Sequence, residues 1–404
     1  MSERISKRCS KLGESVTLSI DSKAKRMKKA GKPIISYAAG EPDFPTPEHI
    51  VSRCQLAAAT RSNHVYTETA GLAELREAIA EKTLADSFLK VSESQILITN
   101  GCKQAVYMAC QTILDPNDEV ILPTPYWTTY PESIRTAGAK VVIPATDSFY
   151  VTVDQLQSVL TNKTKAIILS SPSNPSGAVY SLDSLRDIAR FAKKHGIWII
   201  SDEIYQNIYY SGRVAPGFGE ALPEIKDQLI LVNGLSKTYA MTGWRIGWMI
   251  GPQDIINASV KLQSHICSHV SNIMQQAALE ALTGPQDCVA YMRDEFKKRR
   301  DLMLRELGRI KGLSIPKPDG AFYIYPDVSA FIGRRITGRM IHSSFELAEL
   351  VLSETLVATV PGEAFGTKGH LRLSYALDET SLLEGTGRLV EFFDTANSDM
   401  TKVF

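Results

Sequence analysis

The sequence predicts an α/β fold with a mainly parallel central sheet covered by helices on both faces. Three observations lead there. Short apolar runs rich in β-branched residues alternate with helical periodicities through the first two-thirds of the chain. These runs lack a polar alternate face, as expected of strands buried on both sides. After Gly251 the texture changes to helices and short strands, which marks a smaller α+β region.

The elements follow in order. Residues 1–35 are basic and polar, and 19–31 read as an amphipathic helix with its lysines in water. The segment Tyr-Ala-Ala-Gly-Glu-Pro-Asp-Phe-Pro-Thr-Pro at 37–47 excludes regular structure through its prolines and glycine. It is either a plain connecting loop or, at Gly40, a place where backbone approaches a ligand closely. Pro47 opens a helix towards Thr60, a loop spans 66–71, and 72–85 are helical. Strands are predicted at 95–99, 119–122, 140–143, 166–169, 197–201, 229–232 and 248–250. Helices at 103–114, 130–137, 153–160 and 182–195 lie between them. A long charged helix at 287–310 serves as a strut, followed by an extended stretch at 320–325 and a helix at 344–353. Short strands near 355 and 371 and a closing helix at 379–393 complete the chain. Two domains are expected: a large one over 48–290, and a discontinuous small one from 1–47 plus 291–404.

With 404 residues the chain can bury a large core. Its 44 % apolar and 22 % charged residues are an ordinary globular mix, and a net charge of +1 gives no overall pull on nucleic acid or anionic membrane. No apolar run approaches membrane-spanning length. Six cysteines without a C-x-x-C pair read as reduced thiols of a cytoplasmic protein. The polar first fourteen residues do not read as a secretory signal.

Five features carry chemistry. Lys237 lies in Asn233-Gly-Leu-Ser-Lys-Thr-Tyr-Ala-Met-Thr-Gly-Trp-Arg-Ile-Gly247, among small and apolar residues, with Arg245 eight positions on. It is either a surface lysine followed by a glycine turn or an amine that has lost part of its preference for charge and can attack a carbonyl. Thr99-Asn-Gly-Cys-Lys-Gln104 leads from a strand into a helix, so Gly101, Cys102 and Lys103 form either an anion-binding turn or an ordinary cap. Ser170-Ser-Pro-Ser-Asn-Pro-Ser-Gly177 makes a rigid turn that projects Asn174. Trp198-Ile-Ile-Ser-Asp-Glu-Ile-Tyr205 ends a buried strand in Asp202, Glu203 and Tyr205; the two carboxylates face opposite ways, and one is expected to meet a buried cation. Arg372, between two leucines, is either a carboxylate fork or a snorkelling edge residue.

In this order the five features resemble the class I, fold-type I pyridoxal-phosphate aminotransferases, and most of all the bacterial aspartate aminotransferases of the Ib type. The resemblance runs from Ala38-Ala-Gly-Glu-Pro-Asp-Phe44 to Leu371-Arg-Leu-Ser-Tyr-Ala376. It implies that Lys237 carries pyridoxal 5'-phosphate as a Schiff base and moves a proton at the substrate Cα. It further implies that Asp202 pairs with the pyridine nitrogen, that Tyr205 and Asn174 bond the phenolic oxygen, and that Trp127 stacks on the ring. The phosphate would rest on Gly101–Lys103 and Arg245, with Tyr66 reaching in from a neighbouring subunit, so a homodimer is implied. Arg372 would hold the substrate α-carboxylate, aided by Asn174 and Gly40. Many relatives have a phosphate-binding serine where Gly234 stands, so Ser236 or water would fill that role.

Lys103, Ser15 and Thr17 match the residues that share the side-chain carboxylate in the Ib type, which implies aspartate and 2-oxoglutarate as substrates. Phe322, Tyr323 and Phe365 leave an aromatic preference open. A C–S β-lyase is a second alternative, and an amino-acid-sensing regulator a third; no helix-turn-helix pattern with a basic face supports the last. His265-x-Cys267-x-His269 has metal-like spacing, but on a helix the cysteine would point away from the two histidines. No metal is expected.

Overall fold

The computed structural model describes residues 4–6, 9–13, 16–146 and 148–398. The expected site residue Ser15 lies outside them. Seven strands form the central sheet. They are numbered after a short first strand β1 (Ile35–Ser36): β2 (Ile96–Thr99), β3 (Glu119–Ile121), β4 (Lys140–Val142), β5 (Thr164–Ser170), β6 (Trp198–Asp202), β7 (Leu229–Gly234) and β8 (Gly247–Ile250). Their order is β2-β8-β7-β6-β5-β3-β4, and β8 alone runs against its neighbours. The prediction of a mainly parallel sheet is met.

The strand sequences explain the layering. Successive residues of a strand face opposite sides. Ile168, Ile200 and Ile230 join one core cluster, while Ile167, Ile199 and Leu229 join the other. Both faces therefore need helices. The first helix, α1 (Val16–Lys29), packs instead on β1 and the short strands near 357–361; it is followed by α2 (Glu48–Ala59), α3 (Ala73–Ser87), α4 (Cys102–Ile113), α5 (Thr129–Thr136), α6 (Val153–Ser158) and α7 (Leu182–His195). Helix α7 shows how its limits are encoded: the Ser181 side chain accepts from the Ser184 amide, and Gly196 closes the helix with φ +66.

Beyond the sheet, β1 pairs in parallel with Val357–Ala358, tying the start of the chain to its last quarter. A three-stranded antiparallel sheet, Val360–Pro361, Leu371–Ser374 and Tyr323–Ile324, carries Arg372. Several boundaries differ from the sequence reading. Helix α1 starts three residues earlier than predicted, and the strut helix ends at Leu307 rather than 310. The hairpin Arg334–Ile336 with Arg339–Ile341 was not expected. The short strand expected near 355 is Val357–Ala358, directly after the helix Ser344–Thr355. Among the described residues no helix is long and apolar enough to cross a membrane.

Candidate active site

The carboxyl ends of β5, β6 and β7 open onto a cavity of about 530 Å³, the usual place for a ligand in such a sheet. Strand β6 ends in Asp202, which is 2 % exposed. Its Oδ2 accepts from the Tyr130 hydroxyl at 2.7 Å. Its Oδ1 accepts from the Ile204 amide at 3.1 Å and the Cys102 thiol at 3.4 Å. Burial raises the carboxyl's pKa, and these donors, Tyr130 first, oppose the rise. All three donors are neutral.

The expected buried cation is therefore not supplied by an ion pair to Asp202 or Glu203 among the described residues. Glu203 turns to the other face of the sheet, where its Oε1 accepts from Ser201 at 3.0 Å and its Oε2 has no protein partner. The reason is topological. A strand that ends in two successive carboxylates sends one to each face, and the lysines and arginines nearby serve other contacts.

Lys237 sits in the turn after β7. Its Nζ donates to the Gly40 carbonyl and lies 5.9 Å from the Tyr205 ring centre. It keeps some exposure because it faces the cavity, while the surrounding protein excludes bulk water. Burial lowers its pKa to about 8; Glu41 pulls it back up, and Arg372 and Arg245 push it down. Segment 37–47 thus turns carbonyls towards the site. Besides Gly40, Ala38 accepts from Arg372 Nη2 at 2.7 Å.

Arg372 is 2 % exposed and makes no ion pair among the described residues. Its Nη1 donates to Asn174 Oδ1 at 2.9 Å, which leaves the Asn174 amide nitrogen to donate into the cavity. The guanidinium lies 4.6 Å over Tyr323 and 5.1 Å over Phe365, and its Nε is buried without a partner. It is not a snorkelling edge residue. Tyr323 also bonds the Tyr205 hydroxyl at 2.8 Å.

The turn between β2 and α4 is shaped by close approach. Gly101 has φ +80, and a Cβ there would stand 2.2 Å from Arg245 Nη2. A Cβ on Gly247 would stand 2.5 Å from the Cys102 amide nitrogen. Arg245, at φ +57, is held by carbonyls: Nη1 donates to Thr242 at 2.8 Å and Nη2 to Asn100 at 3.1 Å. A helix N-terminus beside a fixed guanidinium suits an anion. Gly234 is explained likewise: a Cβ there would meet the Ile246 carbonyl at 2.8 Å as β7 and β8 converge. Ser236 is buried and lines the cavity.

Lys103 lies 5.2 Å over the Trp127 ring, and both line the cavity. Burial, and then Arg245, lower the Lys103 pKa. Thr17 reaches the cavity from α1, as does Asp21, whose charge is met by Lys25 at 2.7 Å. Tyr66 does not line this cavity: it is 87 % exposed and packs edge-on to His269. Of the aromatic residues expected to favour an aromatic substrate only Tyr323 lines it, because Phe322 and Phe365 are fully buried in the core. The metal-like triplet also differs from its helical reading, because the helix ends at Ser264 and the Cys267 sulfur takes the Asn100 and Gln104 side-chain amides. Tyr130 and the thiol of Cys102 were missed as partners of Asp202. Tyr130 lies in the first turn of α5, and its ring packs edge-on to that of Trp127, which precedes the helix.

The family model for aminotransferase class I and II matches residues 32–389. The chain is 50 % identical over 396 residues to an aspartate aminotransferase of Streptomyces avermitilis, with 97 % of each chain covered. Among solved structures, the aspartate aminotransferase of Rhizobium meliloti superposes with a TM-score of 0.92 at 38 % identity, covering 97 % of this chain and 99 % of that one. The Thermus thermophilus aspartate aminotransferase with maleate superposes with a TM-score of 0.89 at 37 % identity, covering 96 % and 99 %.

Proposed function

The chain belongs to the class I and II aminotransferase family and is an aminotransferase; from that premise we propose that it transfers the amino group of L-aspartate to 2-oxoglutarate, using pyridoxal 5'-phosphate. The observation that carries the cofactor reading is Asp202. A buried carboxylate facing a cavity, bonded by neutral donors alone, is costly until a cation arrives. A protonated pyridine nitrogen is such a cation. Gly101 and Gly247, where no Cβ fits, and the fixed Arg245 suit the phosphate at the other end. When bound, the cofactor supplies an aldehyde that takes up the amino group and a ring that accepts electrons from Cα.

The remaining roles belong to side chains. Lys237, with its lowered proton affinity, would hold the cofactor and then move the Cα proton. Asn174 and Tyr205 would donate to the ring's oxygen, and Trp127 would cover one ring face. Arg372 would take the α-carboxylate, its guanidinium already desolvated and aimed by Asn174 and Ala38. Enclosing these groups excludes water from the proton transfer.

Dicarboxylate preference rests on Lys103. It is a solvent-accessible cation at the cavity mouth, over the Trp127 ring and with no carboxylate partner among the described residues, and Thr17 lines the same cavity. The Thermus relative's structure holds maleate, a dicarboxylate, which fits this reading. The high exposure of Tyr66 supports its reaching a second subunit, and hence a homodimer with shared sites. Six unpaired cysteines suit a reducing compartment such as the cytoplasm. The test is a half-reaction screen of the purified yellow protein against the common amino acids, followed by loss of cofactor absorbance. Aspartate and glutamate should react fastest. Preference for an aromatic amino acid, or release of pyruvate and ammonia from cystathionine, would refute the assignment.

A further inference from the structure

Asp202 has two oxygens and, when ionised, roughly four places to accept a hydrogen bond. Three are taken: Tyr130 on Oδ2, and Ile204 N–H and the Cys102 thiol on Oδ1. One place remains, and it belongs to Oδ2. The two donors on Oδ1 differ in kind. The Ile204 amide is fixed by the backbone, whereas the thiol comes from the first residue of α4, the element whose N-terminus borders Arg245 and Gly247.

We propose that Cys102 is a positioning residue for Asp202: its S–H fills the second acceptor place on Oδ1 and so turns the free acceptor on Oδ2 towards the ligand. This rests on the cofactor reading above. Cys102 joins the two ends of the cavity through one residue, its amide at the anion turn and its sulfur at the carboxylate. Burial and the neighbouring Asp202 charge raise the thiol's pKa well above its usual range, so the sulfur keeps its proton and remains a donor. A sulfur this enclosed, 7 % exposed and facing a carboxylate, is a poor nucleophile, which argues against a reactive-cysteine role. Removing the thiol would leave Oδ1 an open place that competes with Oδ2 for the incoming N–H.

The test joins infrared spectroscopy to kinetics on the holoenzyme. The S–H stretch of Cys102 is isolated as the difference between wild type and C102A. That of Cys110, buried in the apolar core, is isolated with C110A as an internal reference. The Cys102 band should lie below the Cys110 band, as for a thiol donating to a carboxylate. C102A should lower kcat roughly fivefold, the worth of one weak buried donor, with KM for the amino acid within about twofold of wild type. C102S, which restores a donor, should recover most of that loss. A Cys102 band at or above that of Cys110, or a C102A enzyme with wild-type kcat, would overturn the proposal. Borohydride labelling of Lys237 in wild type and C102A keeps the two readings apart: an unlabelled wild type overturns the cofactor assignment and leaves the infrared result to stand alone.

Discussion

At the scale of the residue, the site works by desolvating charges and leaving selected ones without a protein counter-ion. Lys237 shows the first effect. Below pH 8 its amine is mostly protonated and inert, and above it the neutral form dominates. Acetylation of the cofactor-free protein, followed peptide by peptide, should give Lys237 a midpoint near pH 8, while solvated lysines follow their usual value of about 10.4. A Lys237 that reacts with the bulk lysines would mean its surroundings are wetter than described. Lys103 shows the second effect. Losing a charge-assisted contact costs about 1.5–3 kcal/mol, so K103A should raise KM for aspartate by about 10- to 100-fold. KM for an aromatic amino acid should change little. An equal effect on both would remove Lys103 from side-chain recognition.

At the scale of the element, β6 delivers one carboxylate to each face of the sheet, and the two fare differently. Asp202 meets donors on the cavity side. Glu203 meets one hydroxyl, and the like charge of Asp202 and of Asp86 adds to its burial; Asp86 is itself paired with Lys82 at 2.5 Å and Arg213 at 3.0 Å. Burial pushes the Glu203 pKa from 4.5 up to about 7. An acid whose folded pKa is raised holds its proton in the fold between those values, where the unfolded chain has lost it. Its contribution is therefore complete below pH 4.5 and declines as pH rises to 7, by about 3 kcal/mol in all. E203Q imitates the protonated acid, so it should match wild type in denaturant melts at pH 4.5 and exceed it at pH 8. Equal stability at both values would show that Glu203 is ionised without cost.

The strands were legible in the sequence because β5, β6 and β7 are apolar on both faces and end in polar residues where the cavity begins. Lys237, Asp202 and Asn174 could be placed for the same reason: each follows such a strand. Tyr130 and the Cys102 sulfur were not legible. Their roles depend on how α4 and α5 pack over the end of β6, and local periodicity does not encode that contact. The hairpin at Arg334–Ile341 was hidden similarly, since each of its strands is only three residues long and three of their six residues are arginines.

At the scale of the whole molecule, the proposed role of the exposed Tyr66 is to reach the site of a second chain. If it serves the neighbouring site, two defective chains should complement each other. K237A lacks its own amine but still lends Tyr66; Y66A retains its amine. In a hybrid dimer one site then carries both defects and the other none. Unfolding and refolding an equal mixture should restore about a quarter of wild-type sites, the share expected for random pairing in a two-fold dimer. Activity no greater than the average of the two parents would place Tyr66 outside the partner's site.

The most direct measurement is borohydride reduction of the yellow holoenzyme followed by peptide mass mapping. The expected result is one cofactor-labelled peptide spanning Asn233–Arg245, with the added mass on Lys237. A label on another lysine, or no label on a protein that still turns over aspartate, would contradict the assignment of Lys237 as the cofactor's anchor.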